Sequence, residues 1–160
     1  MNYKVVEFNK IREFLGETEI ISEDSFLFLP ENLFETNEHE KFIYSETATD
    51  LKKVFKSMQV PILYFSKDKP LFRSRKSSDW FGPTIFIGFS LIANNPQIIG
   101  ISMNLISSYL YDFLKGTISS KKVKFEIIVE RKKGKEYKKI SYDGNIEGIK
   151  ELEKVINSLD

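Results

Sequence analysis

Residues 80–111 read WFGPTIFIGFSLIANNPQIIGISMNLISSYLY, a run from Trp80 to Tyr111 without one Asp, Glu, Lys or Arg. How this run is read decides the fold. It is long enough to cross a bilayer, which takes about 20 apolar residues. The break at Asn94-Asn95-Pro96-Gln97 argues against that, and so do Gly82, Gly88, Ser90, Gly100, Ser102, Asn104, Ser107 and Ser108. The pieces left, Ile85–Ala93 and Ile98–Tyr111, suit the interior of a globular fold better than lipid. The expectation is two buried helices, over 84–93 and 97–114, joined by the Asn-Asn-Pro corner. Pro83 and Pro96 then fall in first turns, where a missing N–H costs nothing. Apolar residues at 101, 105, 106, 109, 110, 113 and 114 keep helical spacing. Lys115-Gly116 supplies a basic last turn and a glycine stop.

The C-terminal part reads as a β-hairpin followed by an amphipathic helix. Val123, Phe125, Ile127 and Val129 alternate with Lys124, Glu126, Ile128 and Glu130, the period of a half-buried strand. The charged stretch Arg131-Lys132-Lys133-Gly134-Lys135 turns the chain. Ile140 and Tyr142 then alternate with Lys139 and Ser141, giving strands over 123–130 and 137–142. Asp143-Gly144-Asn145 ends the second strand, and Asp143 or Asn145 can cap a helix over 146–158. In that helix Ile146, Ile149, Leu152, Val155, Ile156 and Leu159 recur every three or four residues. A lone hairpin is barely stable in water, so the helix and the apolar stretch should cover it.

The front half gives shorter signals. Tyr3–Phe8, Phe26–Leu29, Phe42–Tyr44 and Val60–Phe65 are strand candidates, the last on an edge because of Pro61. Asp50–Met58 is helical, with Leu51, Val54, Phe55 and Met58 on one face. Lys67–Asp79 is a polar, basic loop. The fold class expected from these signals is α+β, one domain over 1–160. It would hold a small, mostly antiparallel sheet, the buried helical hairpin 84–114, and the C-terminal β-hairpin plus helix.

The net charge of +1 hides a partition. Residues 1–50 carry four basic and twelve acidic side chains, a net of −8. Residues 51–79 carry eight basic and two acidic, a net of +6, and residues 112–160 a net of +3. Blocks of opposite sign either attract within one chain or present two surfaces to partners. The first reading is the simpler.

Composition excludes several chemistries. There is no cysteine, so disulfides, thiolate metal sites and thiol nucleophiles are out. The one histidine, His39 in Glu38-His39-Glu40, excludes multi-histidine metal sites, and no Gly-x-Ser-x-Gly elbow accompanies it. Neither Gly-x-x-x-x-Gly-Lys nor Gly-x-Gly-x-x-Gly occurs. The start of the chain lacks the apolar run of a signal peptide, so a cytoplasmic location is expected. No catalytic residue, metal or cofactor is assigned. A metal-dependent nuclease using Asp112, Glu126, Glu130 and Lys132 is one alternative, and a membrane-active effector using 81–114 another. The best binding candidate is the basic stretch with Lys67, Lys69, Phe72, Arg73, Arg75 and Lys76. Lysine and arginine can neutralise phosphates and an aromatic can stack on a base. At +1 overall, a protein partner fits better than nucleic acid.

The order of parts over 79–158 resembles a known type. Asp79-Trp80-Phe81-Gly82-Pro83-Thr84 opens an uncharged helical segment, Asn94-Asn95-Pro96 turns it, and Tyr109-Leu110-Tyr111-Asp112-Phe113-Leu114-Lys115-Gly116 closes it. A Val-Lys-Phe-Glu-Ile strand, a second strand ending Tyr142-Asp143-Gly144, and a short amphipathic helix follow. This layout is similar to the small effector-associated constant-component accessory domains of bacterial conflict systems. The likeness is one of layout over half the chain, with no invariant motif, and the acidic front half departs from it. It implies a non-enzymatic accessory or adaptor protein that binds another protein, an effector of antiphage defence. A homo-oligomer stays open, and no stable membrane span is expected.

Overall fold

The computed structural model describes residues 2–15, 24–75, 79–115, 122–132 and 134–159. Among them the strands are β1 (Tyr3–Glu7), β2 (Phe26–Leu29), β3 (Ile43–Ser45), β4 (Ile62–Tyr64), β5 (Leu71–Arg73), β6 (Trp80–Ile87), β7 (Val123–Lys132) and β8 (Glu136–Gly144). The helices are α1 (Arg12–Leu15), α2 (Thr47–Ser57), α3 (Phe89–Asn94), α4 (Ile98–Phe113) and α5 (Leu152–Asn157). The fold is α+β. Its main sheet has the order β1-β8-β7-β6-β2-β4, and β3 and β5 form a separate two-stranded sheet.

The main sheet is mixed, which corrects the expectation of a mostly antiparallel one. β1–β8, β8–β7 and β2–β6 are antiparallel, whereas β6–β7 and β2–β4 are parallel. The cause lies in the uncharged run. Trp80–Ile87 is a strand, not the start of a helix, and α3 and α4 carry the chain back over the sheet to β7. Two neighbouring strands joined by such a crossover must run parallel. The helical hairpin expected over 84–114 is therefore not formed. Only its second arm is a long helix, and α3 is a short one that begins after Gly88.

Trp80–Ile87 misleads because both of its faces are covered. Ile85 pairs across with Phe28 and Ile127, Phe86 with Leu27 and Ile128, and all six residues are buried. A strand buried on both faces loses polar alternation and cannot be told from a short helix by period alone. Its Pro83 is accommodated by a β-bulge. Phe81 pairs with Lys124 and Thr84 with Glu126, so Gly82 and Pro83 together oppose Phe125. Gly82 is required there, because a Cβ would run into the Trp80 ring and lie 2.9 Å from the Phe125 Cβ.

One sheet face packs under helices. Phe55 of α2 meets Phe26 edge-on at 5.6 Å, and Tyr109 of α4 lies 6.3 Å from Trp80. Ile106, Leu110, Leu152 and Ile156 are buried. The expected helix 146–158 divides into a 3₁₀ segment, Ile146–Glu151, and α5, with the Asn145 side chain accepting from Gly148 N–H at 3.2 Å. The C-terminal glycine stop of α4, Gly116, lies outside the described residues.

The opposite sheet face is covered at one end only. The Phe8 N–H donates to the Tyr137 carbonyl at 2.8 Å, and Ile11, Leu15 and Leu33 are buried. Phe34 packs edge-on against Phe8 and Phe14. The rest of this face borders a cleft. No helix among the described residues is long and apolar enough to cross a membrane.

Candidate binding site

Alternation along β7 and β8 decides which side chains meet the cleft. Lys124, Glu126 and Ile128 point one way and Val123, Phe125 and Ile127 the other, and the antiparallel pairing puts Asp143, Ser141 and Lys139 beside the first set. Thr84 of β6 pairs with Glu126. The cavity has a volume of about 610 Å³. Its centre is the Glu126 carboxylate, which accepts from Ser141 Oγ at 3.3 Å and Thr84 Oγ1 at 3.4 Å and faces Lys139 Nζ at 3.5 Å.

Two charged ends flank this centre. At one, Arg73 and Arg75 both reach Glu31, at 3.2 and 2.8 Å. Arg75 and Lys124 lie over the Phe81 ring, 5.0 and 5.3 Å from its centroid. Lys124 also pairs with Asp79 at 3.6 Å. At the other end Lys10 Nζ sits 4.2 Å from the Phe34 centroid and Lys139 Nζ 4.6 Å from that of Phe8. Lys124 and the Ile128–Lys139 pair are four residues apart along β7, about 13 Å at strand rise.

The basic stretch singled out in the sequence is not all loop. Leu71–Arg73 forms β5, parallel to β3, with Tyr44 opposite Phe72 and the Glu46 N–H bound to the Arg73 carbonyl at 3.1 Å. Arg73 and Arg75 thus meet the acidic front block through Glu31, and Ser74 donates to Glu46 at 3.0 Å. Every residue of β5 is exposed, Leu71 at 46% and Phe72 at 41%. Among the described residues, β5 has β3 on one side only. The Phe72 ring touches Tyr64 at 6.0 Å, and Lys52 Nζ lies 4.9 Å over the Tyr64 ring. Lys67 and Lys69 are exposed just before the strand, and Lys76 lies outside the described residues.

The nuclease set is not assembled. Asp112 is on α4, on the helical side of the sheet, while Glu126 and Glu130 belong to β7 and its opposite face. Glu130 is taken up by the Phe89 and Gly134 N–H groups, each at 2.8 Å, and Lys132 pairs with Glu136 at 3.8 Å. No group of three or more His, Asp or Glu among the described residues could hold a metal ion. His39 is not a simple surface residue. It is half-buried, its ring tilted against Phe42 at 4.7 Å, with Nδ1 3.2 Å from Ser66 Oγ. Ser66 Oγ also accepts from the Asp68 N–H at 3.2 Å, which makes the pair part of a turn, and neither residue lines the cleft. The cleft itself was not visible in the sequence. Its walls come from six separated segments, and no spacing links them.

Compared with protein families, curated proteins and solved structures, the chain gives no match.

Proposed function

We propose that this is a non-enzymatic accessory or adaptor protein that works by binding another protein, with β5 as its docking strand. The observation that carries the reading is the exposed, one-sided strand Leu71–Arg73, with two large apolar side chains facing solvent. An unpaired strand edge offers N–H and C=O groups to an incoming strand, and side-chain contacts select which one. The occupant is an acidic, extended segment of the partner, because Lys67 and Lys69 are exposed just before β5 and Lys52 lies over the Tyr64 ring that touches Phe72. The layout resemblance over 79–158 adds that the partner is an effector of bacterial antiphage defence.

The test uses the tagged full chain in its native host, as wild type, Phe72→Asp and Tyr111→Asp. Tyr111 is the control, an aromatic on α4 that is 49% exposed and whose hydroxyl donates to Glu147 rather than to any residue of β3 or β5. Docking on β5 predicts one stoichiometric partner with wild type and Tyr111→Asp, bound through an acidic segment, and its loss with Phe72→Asp at unchanged melting temperature. A partner retained by Phe72→Asp, or lost only with Tyr111→Asp, contradicts the proposal.

A further inference from the structure

The cleft takes Arg73 from the end of β5 but not Leu71 or Phe72, and has its own chemistry. We infer that it binds a nucleoside monophosphate, with the phosphate at the Arg75–Lys124 end, the sugar hydroxyls on Glu126 and the base against Phe8 and Phe34.

Size and charge support this. About 610 Å³ lies within the usual range for small-molecule sites. The lining holds five cations, Lys10, Arg73, Arg75, Lys124 and Lys139, against the carboxylates of Glu31, Glu126 and Asp143. Arg73 and Arg75 share the single carboxylate of Glu31, so one guanidinium has charge left for an anion. Its planar fork matches a phosphate, and Lys124 stands beside it over the same Phe81 ring.

The order of groups along the cleft supplies the specificity. In the middle Glu126 accepts from two hydroxyls, Thr84 and Ser141, at the long distances of 3.4 and 3.3 Å. A carboxylate already serving hydroxyl donors suits a diol better than an anion. Beside Lys139, whose strand partner Ile128 is four residues from Lys124 along β7, the Phe8 and Phe34 rings carry Lys139 and Lys10 on their faces, and Phe34 is 39% exposed. At this end the exposed Phe34 ring offers a base an aromatic surface, whereas Phe81 is half-buried beneath Arg75 and Lys124. Cations, hydroxyl acceptor and rings therefore follow in the order phosphate, sugar, base.

The experiment is calorimetric titration of the full chain with AMP, GMP, CMP and UMP, and separately with inorganic phosphate and adenosine. At least one mononucleotide should bind at micromolar to low millimolar concentration, about tenfold or more tighter than phosphate or adenosine alone. Lys124→Gln and Phe34→Ala should each weaken it by about tenfold, the scale of one charge-assisted hydrogen bond or one stacked base. Glu126→Gln should weaken the nucleotide while leaving phosphate binding alone, which separates a ribose contact from a merely structural role. Melting curves of each variant without ligand identify any that are misfolded, and Lys10→Gln, at an exposed position, replaces such a variant. Failure of all four mononucleotides to bind overturns the inference. So does phosphate binding as tightly as AMP, or binding indifferent to Lys124→Gln, Phe34→Ala and Lys10→Gln. None of these outcomes bears on docking through β5, whose test reads Phe72.

Discussion

The Asp79 carboxylate accepts a hydrogen bond from the backbone N–H of Lys122 at 3.0 Å. The next residue, Trp80, donates its own N–H to the Lys122 carbonyl at 2.9 Å. These two bonds fasten the start of the parallel β6–β7 ladder, just before the Trp80–Val123 pair. The same carboxylate faces Lys124, one of the cleft cations.

The Lys122 N–H, and after it the charge of Lys124, hold the Asp79 carboxyl below its ordinary range. A depressed folded-state pKa contributes stability above the unfolded value, near pH 4, and loses it as pH falls through the folded value. Asp79→Ala should therefore lower the melting temperature at neutral pH and flatten its decline between about pH 5 and pH 3. Asp79→Asn, which keeps an acceptor for Lys122, should fall between. Equal acid limbs for wild type and Asp79→Ala would show that the clamp does not act.

Gly82→Ala should destabilise by about 1–3 kcal/mol, because the added methyl forces the buried Trp80 ring off its place beside Phe125. Chemical denaturation measures it. A neutral result would mean that the bulge is not held against Trp80.

Gln59 is the position where α2 ends in a left-handed residue, φ 60°. The Val60 N–H bonds to Phe55 O at 2.9 Å and the Gln59 N–H to Lys56 O at 3.0 Å, a Schellman ending with Val60 and Phe55 both buried. Glycine adopts this conformation without the Cβ penalty. Gln59→Gly should stabilise by about 0.5–1 kcal/mol despite its greater unfolded entropy, read as a raised denaturation midpoint. A lowered midpoint refutes the assignment.

Tyr109 on α4 donates to Asp50 Oδ2 on α2 at 2.9 Å. Burial first, then the Asp50 hydrogen bond and charge, push its hydroxyl well above the ordinary tyrosine value, and burial does the same to Tyr44. A raised folded-state pKa means stability is fully present below the unfolded value, near pH 10, and falls as pH rises beyond it. Tyr109→Phe should cost about 1–2 kcal/mol at neutral pH and reduce the alkaline loss, with the other tyrosines raised by burial, Tyr44, Tyr64, Tyr111, Tyr137 and Tyr142, carrying the remainder. Ultraviolet titration of tyrosinate against circular dichroism checks it, since ionisation should coincide with unfolding.

How much of this was legible depends on whether a signal was local. The alternation at Val123–Val129 marks a strand, and the spacing from Ile101 to Phe113 marks a helix but misplaces its buried face: Ile101 and Phe113 are exposed, and α4 turns Ser102, Met103, Ile106, Ser107 and Leu110 inward. Trp80–Ile87 carries no such alternation, since Ile85 and Phe86 are buried on opposite faces. Leu71–Arg73 becomes a strand only by pairing with Ile43–Ser45, a partner that no short-range pattern announces. The attraction between the acidic and basic blocks was readable as charge, and Glu31 with Arg73 and Arg75 is its physical form. The cleft needed the register of β6, β7 and β8, which places Thr84, Glu126 and Ser141 in one row.

Amide hydrogen exchange at Leu71, Phe72 and Arg73, in the free protein and in its complex with the co-purified partner, tests the docking strand most directly. Strand addition predicts that the Phe72 amide, which lies on the side of β5 away from β3, exchanges fast when free and slowly when bound. Equal exchange at Phe72 in both states, with protection confined to another surface such as the exposed face of α4, would contradict it.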